Sequence, residues 1–158
     1  RPSEFAIASG TNASIFSGDV VNLSSGLVIQ GTATGAPLGV FAGVEYQATD
    51  GSVVFSKVWT ADVATLGAAN AKAYVYSDPD IVYEAKSTGT PTQASIGTTN
   101  TISTTAGDSN TGRSKEGVTT TTSSGIATVV GFVDRPDNSI GQYARVYVIF
   151  PASVFGNN

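Results

Sequence analysis

Residues 38–59 contain two runs of apolar residues, LGVFAGVEYQ and SVVFSKVW, which meet near the dipeptide Asp50-Gly51. Asp-Gly between such runs is a strong signal for a β-hairpin, and it favours a type I′ turn with positive φ at both central residues. We therefore predict a hairpin with strands at 38–47 and 52–59. Alternation along the first strand predicts one face formed by Leu38, Val40, Ala42, Val44 and Tyr46, with Phe41 on the other.

Strand signals continue through the chain, separated by turn residues. Residues 19–23 and 27–30 flank Ser24-Ser25-Gly26 and predict a second hairpin. Four more strands are predicted at 72–77, 80–85, 126–134 and 144–150. The best helical candidate, 61–73, is Ala-rich but is interrupted by Gly67 and Asn70, so at most one short helix or turn is expected. The pattern predicts an all-β fold with one domain over residues 1–158, and leaves sandwich and barrel open.

The segment 87–125 differs from the rest of the chain, because Ser, Thr and Gly dominate it and it contains no aromatic residue. Its only large aliphatic residues are Ile96, Ile102 and Val118. Such a stretch buries too little apolar surface to order itself, although Thr-rich chain forms strands once a partner edge is present. We predict an extended loop or arm that is ordered by the surface it lies against, with a flexible surface loop as the alternative.

Composition excludes several classes of function. The net charge is −4, and the 8 basic residues are scattered, which argues against a nucleic-acid partner. There is no Cys, so disulfides and thiolate chemistry are impossible. No apolar stretch is long enough to cross a membrane as a helix, and no membrane partner is expected. The chain lacks Met, so we expect the natural start to precede Arg1.

Catalytic chemistry is also restricted, because the chain has no His. Ser-His-Asp and Cys-His arrangements are therefore excluded, and none of the Lys residues stands in an apolar context that suits Ser-Lys catalysis. Paired carboxylates could hydrolyse glycosides, and the candidate acids are Glu45, Asp50, Asp62, Glu84 and Asp134. The acids of Asp78-Pro79-Asp80 and of the segment Asp134–Asp137 could bind Ca²⁺, but such segments are more typical of turns. We predict no enzyme activity, no metal and no cofactor.

Aromatic residues leave two interpretations open. Tyr74, Tyr76, Tyr83, Tyr143 and Tyr147 could pack at the edge of the core with their hydroxyls in water, or could form an intersubunit or host-surface contact. Phe5 and Phe155 lie near the two ends of the chain. These two rings could tie down the ends or plug one end of a barrel.

The order of several motifs resembles a known group of proteins. They are Gly18-Asp19-Val20-Val21, residues 38–43 with Tyr46, Asp50-Gly51, Phe55-Ser56, Trp59, Asp78-Pro79, Ile81-Val82-Tyr83, residues 131–134, Pro136, Asn138, Gly141 and the strand at 146–150. This order is similar to that of small capsid-associated proteins of tailed bacteriophages, particularly podovirus-type marine phages and cyanophages. In that group they act as decoration, or cement, proteins. The segment 87–125 contains no motif that matches the group.

The resemblance implies a non-enzymatic structural protein that lies on the outer capsid surface of a virion and stabilises the shell. Its partners would be the major capsid protein and other copies of itself, with a trimer favoured and a dimer possible. Candidate partner-binding residues are the two terminal rings and the central threonines, namely Phe5, Thr119, Thr120, Thr121, Thr122 and Phe155.

Two other functions compete with capsid decoration. A head-fibre or tail component that recognises a host would also be an all-β virion protein, but would be present in fewer copies. A secreted carbohydrate-binding or hydrolytic β domain would need a groove lined by Trp59 and several Tyr residues.

Overall fold

A computed structural model describes residues 1–120 and 125–156, and it confirms the predicted all-β class. These residues form fourteen strands and one short 3-10 turn, Gln93–Ser95. The strands are β1 Ser3–Ile7, β2 Ile15–Phe16, β3 Val20–Ser24, β4 Leu27–Gln30, β5 Pro37–Gln47, β6 Val53–Ser56, β7 Val58–Trp59, β8 Ala71–Tyr76, β9 Tyr83–Lys86, β10 Thr99–Asn100, β11 Ile102–Ser103, β12 Gly117–Val118, β13 Ala127–Phe132 and β14 Arg145–Ile149.

Five strands close into a barrel, which decides between the two architectures that the sequence left open. The strand order is β3-β4-β1-β8-β5, and pairing of β3 with β5 completes the ring. The β1–β4 pair is parallel, whereas the other four pairs are antiparallel. β6 pairs with β5 outside the ring, so it extends the sheet as a sixth strand. Closure leaves β6 as a free edge of this sheet among the described residues.

The barrel interior is filled by apolar side chains. Two small residues on β8, Ala71 and Ala73, reduce the space that a narrow barrel must fill. The paired strands β2 and β7 bring Ile15 and Trp59 to the same core. The buried residues of this core are Ile7, Ile15, Val21, Val28, Leu38, Phe41, Val44, Trp59, Ala71, Ala73 and Val75.

A second core lies between the barrel wall and a four-stranded sheet of order β10-β13-β14-β9. Val20 on β3 and Val40 on β5 contribute to it from the barrel. Their chain neighbours Val21 and Phe41 belong to the barrel interior. β3 and β5 therefore carry apolar residues on both faces, which is the pattern of strands covered on both sides. The other buried members of this core are Ile102, Val118, Ile126, Ala127, Val129, Val146, Val148 and Phe150.

Both predicted hairpins form, but the turn between β5 and β6 is not of the predicted type. β3 and β4 pair around Ser25-Gly26 as expected. Between β5 and β6, Gly51 N–H donates to Ala48 O and Ala48 N–H donates to Ser52 O. Only Gly51 has positive φ there, at 89°, so the type I′ prediction is wrong. The observed geometry is a three-residue loop in which a type I turn is followed by a left-handed glycine.

The predicted faces of β5 are also wrong, because the strand contains two irregularities. The register shifts between Phe41 and Gly43 against β8, and between Val21 and Asn22 against β3. Each extra residue exchanges the faces of the residues that follow it. As a result, Phe41 lies in the barrel core together with Leu38 and Val44, whereas Val40 faces the second core.

The return strand that was predicted as continuous over 52–59 divides at Lys57 into β6 and β7. At this point Val58 N–H donates to Ser56 Oγ at 3.0 Å, a local bond that replaces a ladder bond. The predicted strand at 80–85 begins later, at Tyr83, because the Asp78-Pro79 turn occupies the residues before it.

The Ala-rich candidate at 61–73 forms no helix in the structure. Asp62 and Gly67 have φ of 62° and 104°, which a right-handed helix cannot accommodate. Thr65 instead bridges to Ala48, and β8 begins at Ala71. Within residues 1–120 and 125–156, no helix has the length and apolar character needed to cross a membrane.

The described part of the Thr-rich segment packs against the rest of the chain. β10 pairs with β13 at the edge of the four-stranded sheet, and β11 pairs with β12 within the segment. An isolated bridge between Ser17 and Arg113 attaches the segment to the rest of the chain. A second bridge, between Ser87 and Val118, joins the first residue of the segment to β12. The segment therefore has short strands and contributes Ile102 and Val118 to the second core.

One glycine on β5 allows close approach of a neighbouring strand, which gives a test of barrel closure. A β-carbon at Gly39 would overlap the carbonyl group of Tyr76 on β8. We expect Gly39→Ala to lower the free energy of unfolding by about 1–3 kcal/mol, because backbone must move to admit the methyl group. Denaturant unfolding measures the change.

The matched control is Gly131→Ala on β13, where an added β-carbon meets no atom within 4 Å. Equal destabilisation by the two substitutions would contradict the close approach at Gly39.

Candidate functional site

The two terminal rings that the sequence singled out lie together in the structure. Phe5 on β1 and Phe155 near the C-terminal end stack with ring centroids 6.1 Å apart and planes 22° apart. Phe5 is half-buried and packs against the barrel core, whereas Phe155 exposes 52% of its surface. One ring is thus anchored in the core and supports a second ring that faces solvent. We call Phe5 and Phe155 the terminal aromatic pair.

Backbone hydrogen bonds hold the residues around Phe155 in place. Val154 N–H donates to Pro37 O at 2.9 Å, which ties the C-terminal residues to the start of β5. Gly156 N–H donates to Ser153 O at 2.9 Å, and Ser153 itself is buried. The exposed ring is therefore carried by an ordered turn, so a partner that binds it does not have to order this backbone.

The predicted threonine site lies at a different place. Thr119 N–H donates to Thr101 O at 3.0 Å, and the hydroxyls of these two residues are 2.9 Å apart. Thr120 Oγ1 lies against Gly89. Both threonines are half-buried against their own chain, while Thr121 and Thr122 lie outside the described residues. The structure brings Phe5 and Phe155 together, and places Thr119 and Thr120 beside the start of the Thr-rich segment.

A cleft of about 400 Å³ lies where the Thr-rich segment meets the barrel and the four-stranded sheet. Its wall is largely apolar and includes residues of the second core such as Val20, Val118 and Phe150. Four charged residues also line it, namely Glu84, Lys86, Arg113 and Glu116.

Two carboxyl groups at this junction have raised pKa values. Glu116 Oε2 accepts a hydrogen bond from Val20 N–H at 2.8 Å, which links the Thr-rich segment to β3. Burial raises the pKa of Glu116 to about 7, and the nearby Asp19 carboxylate adds to the increase. Burial also raises the pKa of Asp19, against the lowering effects of the Ser114 hydroxyl and the Phe16 N–H, which donates to Asp19 Oδ2 at 2.8 Å.

Three of the five acids that the sequence proposed for catalysis are held by other residues of the chain. Glu84 accepts two bonds from the Arg135 guanidinium, at 3.2 and 2.7 Å, and one from Arg145 at 3.0 Å. Glu45 accepts a bond from Tyr74 at 2.7 Å, and Asp50 binds Ser52 within its own turn. Each is held by a partner of its own.

The candidate Ca²⁺ ligands do not gather into a cluster. Asp78 Oδ1 accepts a bond from Asp80 N–H at 2.9 Å, an arrangement typical of a turn. Across the described ranges 1–120 and 125–156, no group of three or more acidic side chains is placed to hold a metal ion.

Trp59 is fully buried, so its ring does not line a surface groove of the kind that a carbohydrate-binding function would need. Its ring lies in the barrel core and meets Tyr46 edge-on, with centroids 5.6 Å apart. The tyrosines Tyr83 and Tyr143 differ in their surroundings. Tyr83 packs on Phe150 and donates its hydroxyl to Tyr76 O, whereas Tyr143 is exposed and lies under the Lys86 ammonium at 4.6 Å.

A comparison of the chain with protein-family models, curated proteins and solved structures finds no match.

Sequence reasoning did not single out Asp19 and Glu116 as site residues. They are 97 positions apart in the sequence (116 − 19). Asp19 precedes two valines of a predicted strand, and an acid beside such a run is a signal for a buried carboxyl group. Glu116 stands next to Gly117 and Val118 in a segment with few charges. Their proximity depends on the packing of the segment on β3, which neither local pattern contains.

The raised pKa of Glu116 predicts a pH-dependent stability. A carboxyl group with a higher pKa in the folded state stabilises the fold fully below its ordinary value of 4.5, and this contribution is lost as the pH rises through about 7. We expect wild-type protein to lose about 1–2 kcal/mol between about pH 5 and about pH 8, a discounted value because Glu116 retains some solvent contact. Thermal unfolding across this range measures the loss.

Glu116→Gln keeps an oxygen that can accept from Val20 N–H but removes the titration, so its stability should change less with pH. Glu4→Gln, at an exposed position on β1, is the matched control and should keep the wild-type slope. A Glu116→Gln slope equal to that of wild type would show that this carboxyl does not titrate in the window.

Proposed function

We propose that this protein is a non-enzymatic decoration protein that binds the outer surface of a tailed-phage capsid and stabilises the shell. The observation that carries the proposal is the terminal aromatic pair, in which the exposed ring of Phe155 stacks on Phe5 of the closed barrel. Exposed aromatic side chains on ordered backbone are typical of the central residues of protein interfaces. The order of motifs that resembles phage decoration proteins supports the same role.

A shell-binding protein acts through many copies on a repeating lattice. Each copy needs only a small contact, since neighbouring copies held on one lattice add avidity. A single exposed ring with its supporting core residue therefore suits a decoration protein better than a protein that binds one partner once. Virion localisation and the major capsid protein as partner belong to the same proposal.

The absence of His and Cys agrees with a role without catalysis. Glu116 is the carboxyl best placed for proton transfer, but its Oε2 is engaged with the Val20 amide. Glu84, the other carboxylate that lines the cleft, is held by two arginines. Burial of Trp59 disfavours the carbohydrate-binding alternative, which required that ring on the surface.

The binding role predicts a specific loss on substitution of Phe155. Purified protein is added to empty capsids of the phage that encodes it, after their own decoration protein has been removed, and sedimentation measures the bound fraction. We expect saturable binding at a fixed ratio to the major capsid protein. Phe155→Ser should weaken it by about 30-fold, since a central aromatic at an interface contributes about 2 kcal/mol or more.

Ile140→Ser is the matched control, because Ile140 exposes 57% of its surface and lies outside the terminal aromatic pair. It should bind as wild type does. Bound protein should also raise the temperature at which the shells break. Failure of wild-type protein to bind the shells would contradict the proposal, and saturation at only a few copies per shell would favour the host-recognition alternative.

A further inference from the structure

The β6 edge combines exposed apolar side chains with unpaired backbone. Val53 and Phe55 expose 58% and 72% of their surfaces, which makes Phe55 the most exposed large hydrophobic residue described. Among the described residues, β6 pairs only with β5. Edge strands usually carry prolines, bulges or inward-facing charges that block further pairing, and Val53–Ser56 has none of these.

The direction of the free backbone groups follows from the hairpin. Ala48 N–H donates to Ser52 O, so the carbonyl group of Ser52 points towards β5. Bonded and non-bonded residues alternate along an antiparallel pair, which turns Val54 towards β5 and the N–H and C=O groups of Val53 and Phe55 outward. The two outward-facing residues are therefore also the two with exposed side chains.

The charges around this edge are complementary under a twofold rotation. Asp50 lies in the turn before β6 and Lys57 follows its last residue. Across residues 1–120 and 125–156, Lys57 takes part in no ion pair. When two copies of β6 run antiparallel, the basic end of each strand meets the acidic turn of the other.

We propose that β6 pairs antiparallel with β6 of a second copy of this chain, about a twofold axis at Val54. In this register Val53 lies opposite Phe55 of the second copy, and each such pair exchanges two backbone hydrogen bonds. The four side chains form one apolar cluster on the exposed face. Lys57 of each copy reaches the turn that contains Asp50 of the other.

This contact requires no capsid, so it goes beyond the proposed function and is tested without one. A twofold contact makes a dimer, whereas the resemblance to decoration proteins favoured a trimer. Two four-residue edges bury less than the roughly 1,600 Å² of a standard interface, so the dimer is weak in dilute solution and is strengthened where copies are concentrated on a surface.

Disulfide trapping tests the register, because the chain has no Cys of its own. Val54→Cys places two sulfurs opposite each other in a non-hydrogen-bonded pair, where β-carbons approach closely enough for a disulfide. Mild oxidation should link this variant into dimers at least about tenfold faster than Val53→Cys, whose partner position is Phe55. Absence of linking, or equal rates for the two variants, would overturn the proposed pairing.

Sedimentation equilibrium of the cysteine-free chain tests the association itself. Wild-type protein should show a mass that rises with concentration from the 16.0 kDa of one chain towards twice that value. Phe55→Thr, which keeps strand propensity but removes the ring, should remain a monomer, whereas the control Ile140→Thr should associate as wild type does. A monomeric wild type, or association that survives Phe55→Thr, would refute the proposal.

Exchanging the charges at the two ends of the β6 edge tests the antiparallel direction. Lys57→Glu leaves both ends of the edge acidic and Asp50→Lys leaves both basic, so each alone should associate at least about tenfold more weakly than wild type. An equimolar mixture should recover association, since each acidic end then meets a basic one. Failure of the mixture to exceed both single variants would exclude the antiparallel arrangement.

Discussion

The pairing of β3 with β5 is the contact on which the rest of the structure depends. It closes the barrel, and it places apolar side chains of the same two strands in both cores, with Val21 and Phe41 inside the barrel and Val20 and Val40 outside. The surrounding segments are then attached to these strands by single backbone groups. Pro37 O holds the C-terminal turn, and Val20 N–H holds Glu116.

This arrangement explains how a chain with few charges and no disulfides holds a Thr-rich segment in place. The segment contributes only two large aliphatic residues to the second core, Ile102 and Val118. The remaining attachment comes from the pairing of β10 with β13, from isolated backbone bridges, and from the half-buried carboxyl group of Glu116 on an amide. A buried polar group that is paired stabilises such a contact, whereas the same group left unpaired would cost about 1–3 kcal/mol.

Sequence patterns predicted the features that depend on neighbouring residues. The two hairpins and the all-β class follow from turn residues and strand propensity, and both are present. Barrel closure and the bulges of β5 were not predictable, because they depend on how strands distant in sequence meet. The faces of β5 were assigned wrongly for this reason, since one extra residue at Ala42 reverses the alternation that the sequence shows.

The same division applies to the candidate site. Phe5 and Phe155 were chosen for their positions near the chain ends, but their stacking arises from the C-terminal turn on Pro37. Asp19 and Glu116 were missed because desolvation is a property of packing and not of composition. From the sequence, Trp59 could have lined a surface groove. In the structure its strand β7 pairs with β2, and the ring lies in the barrel core.

The connections of β1 impose an order of events on folding. β1 precedes the other described strands in the chain, but its partners are β4, in parallel, and β8, which ends at Tyr76. No hairpin joins it to a neighbour in sequence, so the loop entropy of distant pairing must be overcome before it is held. Until β8 has emerged and docked, the edge of β1 that faces β8 and the barrel interior stay open to other chains. The ring is thus complete only after Tyr76 has been synthesised, and until then the open edge is exposed to aggregation.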